Sequence, residues 1–146
     1  MIWLWAGLWA AGSGIAMAVQ GAMNAQASRR VGLPFALVLV FATALLPSLA
    51  WALLRWSPAT VQRITALPLV FWASGPLSAF ITLAVMRSVG MMGVGATTGV
   101  VVASQVLASV LLDQLGAFGL RAVPWSFTRV LGSVLLVAGG YLLVKR

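Results

Sequence analysis

The chain of 146 residues has no cysteine, no histidine and a single acidic residue, Asp113. The first absence excludes disulfides and thiolate ligands, and the second removes the usual imidazole ligand for zinc or haem and the usual acid or base near neutral pH. No nucleophile and base pair, phosphate loop or metal-ligand cluster can be assembled from what remains, so the sequence reads as a non-enzyme that needs no cofactor. Charge of either sign is scarce. Charged residues make up 7% of the chain, against about 25% in a typical soluble domain.

Apolar residues make up 62% of the chain, against roughly 45–50% in soluble domains. A fold of this size cannot hide that much apolar surface, so its solvent must be lipid. The net charge of +8 would suit a nucleic-acid partner, but the nine Lys and Arg are scattered singly or in pairs between apolar runs, as in short loops at a bilayer surface. No nucleic-acid partner is expected.

A helix needs about 20 mostly apolar residues to cross about 30 Å of hydrocarbon. Five segments meet or approach that length: 2–25, 34–54, 67–86, 92–112 and 128–144. The expected fold is an all-α integral membrane protein of five transmembrane helices, a single transmembrane domain over residues 1–146 in the plasma or inner membrane. The first segment has no Lys or Arg ahead of it and four more apolar runs behind it, so it reads as a span rather than a secretory signal. The connections 26–33, 55–66, 87–91 and 113–127 are too short to house a folded domain.

Trp3, Trp5, Trp51, Trp56, Trp72 and Trp125 lie near segment ends, where amphipathic rings favour the headgroup level. Trp9 sits deeper, against lipid, against another helix, or lining a path. Pro47 and Pro76 fall inside apolar runs, and Ser74 and Ser78 are close enough to Pro76 to re-satisfy a freed carbonyl. A kink in the third helix is expected, structural or hinge-like.

Helices in lipid associate through small residues and interhelical hydrogen bonds. Ala10, Gly14, Ala18 and Ala22 recur every four residues in the first segment, as do Gly95, Gly99 and Ala103 in the fourth, and Gly132 and Gly140 add a looser ridge in the fifth. Polar residues also align. Ser13, Gln20 and Asn24 share one stripe of the first segment, Thr98, Gln105 and Ser109 one stripe of the fourth, and Ser74, Ser78 and Thr82 one of the third. Two readings stand at this point: interhelical glue, each bond contributing about 0.6–2 kcal/mol, or a polar cavity whose amides offer donors and acceptors to a solute. Asp113, the sole carboxylate, sits at a helix end, where it pairs with Arg121, caps a turn, or gates one end of such a cavity.

With five spans, Arg29, Arg30, Arg87, Lys145 and Arg146 fall on one side and Arg55, Arg63, Arg121 and Arg129 on the other. Five against four gives the positive-inside rule little to act on, which predicts dual topology and pairing of opposed copies as an antiparallel dimer. An odd number of spans also generates an inverted repeat when two copies are fused.

The stretch Gly14 to Ala25, with Gln20 and Asn24 in the pattern Q-x-x-x-N-A, resembles the first helix of the small YdcZ-type family within the drug/metabolite transporter superfamily. Ser104-Gln105 followed by Asp113 to Gly119, and Arg129-x-x-Gly132 with Gly139 and Gly140 beyond it, resemble that family in the same order. The chain departs from the family pattern at Gln114 and Leu115 and across Ala73 to Pro76. The resemblance implies half-size, five-helix members that work as paired subunits, a homodimer or a heterodimer with a paralogous subunit, or as fused forms of ten helices. The small multidrug resistance proteins are similar in size, but the acid central to their first helix is missing here, where Ser13 and Gln20 stand instead.

The expected function is therefore a transporter subunit moving a small neutral, zwitterionic or lipophilic solute by alternating access. Gln20, Asn24, Thr98 and Gln105 are the expected solute contacts, with Ser13 and Ser78 beside them and Asp113 gating or coupling. Gly14, Ala18, Gly95, Gly99 and Gly132 are expected in helix packing. The alternatives are a non-transporting subunit that stabilises a partner membrane protein, or a small channel.

Overall fold

In the computed structural model, which describes residues 2–119 and 121–145, the regular structure is entirely helical. The α-helices are α1 (Ile2–Val31), α2 (Leu33–Leu54), α3 (Pro58–Thr65), α4 (Ser74–Met92), α5 (Val94–Leu115) and α6 (Phe127–Val144), with short 3₁₀ turns at Leu69–Ala73 and Ala117–Gly119. Four helical stretches among the described residues are long and apolar enough to cross a membrane: Leu33–Leu54, Leu69–Met92, Val94–Leu115 and Phe127–Val144. They answer to the second to fifth apolar segments. The helix from the first segment, α1, is the longest at 30 residues, yet it is not among the four. Its glycines, Ser13, Gln20, Asn24 and Gln26 dilute its apolar character.

Helix ends follow local chemistry. No breaker interrupts α1 before Gly32, so it continues past the expected end and takes Arg29 and Arg30 into its last turn, where cations suit the negative end of the helix dipole. Gly32 then adopts φ 86°, a conformation costly for residues with a Cβ, and Pro34 opens α2 in its first turn, where no N–H is needed. Gly93, at φ 84°, does the same between α4 and α5.

The structure adds one short helix and revises one expectation. The connection 55–66 contains a helix of its own, α3, because Ser57 is extended and Pro58 fills the first helical position, with the Ser57 and Thr60 hydroxyls 2.8 Å apart. Pro76 does not kink the middle of a helix. The 3₁₀ turn ends at Ala73 and α4 starts at Ser74, so Pro76 sits in a first turn where its missing N–H has no intrahelical partner to lose.

The chain divides into two compact units, Met1–Gly90 and Met91–Arg146. In the first, α1 packs on α2, and the few buried residues among those described are Gly21, Ala25, Ala36, Met86 and Val89. A Cβ placed on Gly21 would touch Val85 at 3.5 Å and Val89 at 3.9 Å, so α1 and α4 approach there in ordinary contact. The Arg29 guanidinium donates to the Gly90 carbonyl at 3.4 Å near the end of α4.

In the second unit, α5 and α6 form an antiparallel hairpin, since Gly99 faces Gly140 and Leu143 while Asp113, near the other end of α5, faces Arg129 at the start of α6. Gly116 closes α5 in the left-handed conformation, and Ser126 caps α6 by accepting from the Arg129 N–H at 3.3 Å. The two helices meet backbone to backbone. A Cβ on Gly140 would lie 2.8 Å from the Gly99 carbonyl oxygen and 3.3 Å from the Ala103 Cβ.

Gly140→Leu should therefore force α5 and α6 apart and lower stability by about 1–3 kcal/mol, as overpacking does. Gly139→Ala, where an added Cβ meets nothing within 4 Å, should be close to neutral. Thermal unfolding of both variants in detergent checks the pair.

Candidate functional site

Polar side chains on the long helices fall into two groups. The hydroxyls fold back onto their own helix: Ser13 onto the Ala10 carbonyl at 2.8 Å, Ser78 onto Ser74 at 2.9 Å, Thr82 onto Ser78 at 2.9 Å and Ser109 onto Gln105 at 2.7 Å. They therefore need no neighbouring helix for a partner. The amides behave differently. Gln20 is exposed and Asn24 half-buried on α1, Gln105 is exposed on α5, and none makes a side-chain hydrogen bond to a described residue. An amide, with two donors and an acceptor, is not fully satisfied by its own helix as a hydroxyl can be.

Within the first unit, Gln20 lies one turn from Asn24 and two turns from Ser13 along α1. Above Ser13 an open notch of about 440 Å³ is framed by Trp5, Leu8, Trp9, Gly12 and Ala16, which gives the deeper Trp9 a place beside the polar stripe. Ser78 stands on α4 of the same unit. Gly14 would accept a Cβ with nothing within 4 Å, and Ala18 is half-buried, whereas the close approach of α1 falls at Gly21 and the buried Ala25.

Within the second unit, Thr98 is half-buried and joins Gly95, Gly99 and Val102 of α5 and Leu135 and Leu136 of α6 around a groove of about 580 Å³. Gln105 lies two turns further along α5. Added Cβ atoms at Gly95 and Gly132 would meet nothing within 4 Å, while one at Gly99 would come within 3.0 Å of the Leu143 Cδ1. Thr97, beside Thr98, was not singled out by the spacing of polar residues. It is 3% exposed, and its Oγ1 has no hydrogen-bond partner among the described residues. The only sequence signal at Thr97 is its place in a run of small residues, Gly95 to Gly99.

Asp113 pairs with Arg129 at 3.4 Å, not with Arg121. The hairpin explains the choice. The backbone carbonyl of Asp113 accepts from the Gly116 N–H at 3.4 Å and from the Val123 N–H at 2.9 Å, which pins the connection, and the Ser126 cap then places Arg129 in the first turn of α6 opposite the carboxylate. Arg121 lies in the non-helical stretch before α6. No group of three metal-ligating residues occurs among the described residues.

Four helices long and apolar enough to cross a bilayer define a multi-pass integral membrane protein. The family model described as "Putative inner membrane exporter, YdcZ" matches residues 5–142, and the chain belongs to that family. It is a multi-pass inner membrane protein of an exporter family, not of an enzyme family. No curated protein and no solved structure matched the chain.

The Asp113–Arg129 pair is exposed by 43% and 38%, so its contribution should be at most about 1 kcal/mol. Asp113→Asn and Arg129→Gln should each shift thermal unfolding slightly, and the double variant should lose no more than the worse single one. Unfolding midpoints in detergent, read as a double-mutant cycle, check this.

Proposed function

We propose that the chain is one subunit of a small exporter, in which α1 is a fifth span and two copies, or one copy and a paralogous subunit, enclose a polar path in an inverted arrangement. The observation that carries the reading is the pair of amide stripes, Gln20 with Asn24 on α1 and Gln105 on α5, whose side chains have no partner among the described residues while the neighbouring hydroxyls do. An unpartnered amide in hydrocarbon costs on the order of several kcal/mol, so these groups belong against water or solute.

In this reading Gln20, Asn24, Thr98 and Gln105 bind a small neutral, zwitterionic or lipophilic solute, with Ser13 and Ser78 at its margins, and alternating access moves it. An amide presents donor and acceptor together, which suits a solute of no net charge. No carboxylate stands in α1, so a proton-exchange route like that of the small multidrug resistance proteins is not favoured. Asp113, tied to Arg129 at one end of the α5–α6 hairpin, would orient or gate rather than carry the solute.

Gln20→Ala and Gln105→Ala should leave a folded protein with solute binding and efflux reduced at least tenfold, since each removes a bond made to the cargo. Uptake by inverted vesicles and thermal stability are measured together. Loss of assembly in Gln20→Leu, with efflux by the folded fraction unchanged, would instead make the amides interhelical glue and the chain a supporting subunit. Dual insertion has its own test: reporter fusions at the C-terminus should give comparable signals on both sides of the membrane, and a strong signal on one side alone would exclude the inverted pair of identical copies.

A further inference from the structure

The segment between α2 and the following span has a composition unlike the rest of the chain. One span ends at Leu54 and the next begins at Leu69, so residues 55–68 lie at the membrane surface. There the chain folds the eight-residue helix α3 rather than a loop. Val61 and Ile64, three residues apart, share one face of α3 and are 42% and 41% exposed, while Gln62 and Arg63 project from the rest of its circumference. An apolar face opposite polar residues is the pattern of a helix lying in the interface plane.

Aromatic side chains bracket this helix. Trp56 and Trp72 are 60% and 56% exposed, as suits rings at headgroup level. Between α3 and the start of the next span, a groove of about 330 Å³ is lined by Ile64, Leu67, Phe71, Trp72, Ser74 and Gly75. Arg55, at the end of α2, frames a second groove of about 220 Å³ with Trp51 and Leu54. Both guanidiniums are exposed, and the one acidic side chain of the protein, Asp113, is held by Arg129. Neither Arg55 nor Arg63 therefore has a carboxylate side chain of its own protein to face.

We propose that residues 55–75 form a binding surface for an anionic phospholipid, with Arg55 and Arg63 drawing the headgroup phosphate and an acyl chain lying along Ile64, Leu67, Phe71 and Trp72. Two positive charges at headgroup level attract a phosphate, and an apolar groove on the same segment holds a lipid chain where a free anion would leave it empty. The surface needs no transport activity and stands independently of the exporter reading. It gives the protein a preference for membranes rich in anionic lipid, and fixes the depth at which α2 and the following span enter the bilayer.

The test uses the full chain reconstituted in nanodiscs of phosphatidylcholine with a minor fraction of phosphatidylglycerol, and reads by mass spectrometry the lipids retained after extraction in neutral detergent. The wild-type protein should retain phosphatidylglycerol in excess of its share, and the double variant R55Q/R63Q should lose that excess, by about fivefold per arginine. R55K/R63K, which keeps the charge, should retain most of it, and R121Q, which removes a charge elsewhere, should retain all of it. F71S should weaken retention with both arginines in place. The proposal is overturned if R55Q/R63Q retains as much phosphatidylglycerol as the wild type. It is equally overturned if R55K/R63K falls to the level of R55Q/R63Q, or if millimolar inorganic phosphate displaces the lipid completely.

Discussion

Hydrocarbon supplies no water to a polar group, and that single constraint sorts most polar residues of the long helices into three fates, the buried Thr97 hydroxyl excepted. Hydroxyls one turn from a carbonyl donate to it, as Ser13, Ser78, Thr82 and Ser109 do. The lone carboxylate takes a guanidinium partner at a helix end, where both stay partly hydrated. Gln20, Asn24 and Gln105 have neither recourse, because an amide that donates to its own helix still leaves further donors and an acceptor unmet. In the exporter reading proposed above, what one chain leaves unmet is met by water, solute or a second copy, with the amides at the centre of the path.

The same constraint explains how little of this protein is buried. In water a large apolar core drives folding, but lipid tails are as apolar as leucine, so association rests on close backbone approach and not on filling space with large side chains. The buried residues accordingly include Ala25, Ala36 and Gly140, and among the described residues Met86 is the largest side chain that is fully hidden. Large side chains turn outward instead, Trp3 at 90% exposure and Leu54 at 86% among them. Gly140 shows the logic most directly, since the atom it lacks would stand 2.8 Å from a carbonyl oxygen of the opposing helix.

Apolar run length made the second to fifth segments legible, because about 18 such residues leave few alternatives to a membrane helix. The first segment was harder to read, since residues suited to a site (Gly12, Ser13, Gln20 and Asn24) are the ones that lower its hydropathy. Its true end at Val31, past two arginines, is set by the absence of a breaker before Gly32 and not by hydropathy at all. The α3 helix was missed because a period search needs more than eight residues, although Ser57-Pro58 is a start signal in its own right. Spacing likewise placed Gly99 and Gly140 on small-residue ridges, yet it could not show that these two, and not Gly95 or Gly132, stand where the helices meet. Ridge membership is a property of one helix, whereas contact depends on the crossing point of two. Asp113 illustrates the same limit. Arg121 is nearer in sequence, but the hairpin returns Arg129 to the carboxylate.

Charge placement bears on whether such a chain commits to one orientation. Under the five-span topology proposed above, the basic residues divide five against four, and three of them sit differently from free loop charges. Arg129 is paired with Asp113, Arg29 reaches the Gly90 carbonyl, and Arg87 is exposed within α4 rather than in a connection. Pairing changes the count little, because acidic residues contribute weakly to orientation and the bias depends on Lys and Arg near span ends. Arg87, one turn and a half from the end of α4, can still reach the headgroups by extending its stem. Removing both Arg87 and Arg129 from the tally subtracts one from each side. The near balance thus survives that subtraction, and the segment 55–68, if it lies in the interface as proposed above, carries Arg55 at the end of α2 and Arg63 on α3 to whichever leaflet it meets and favours neither orientation unless the two leaflets differ in anionic lipid.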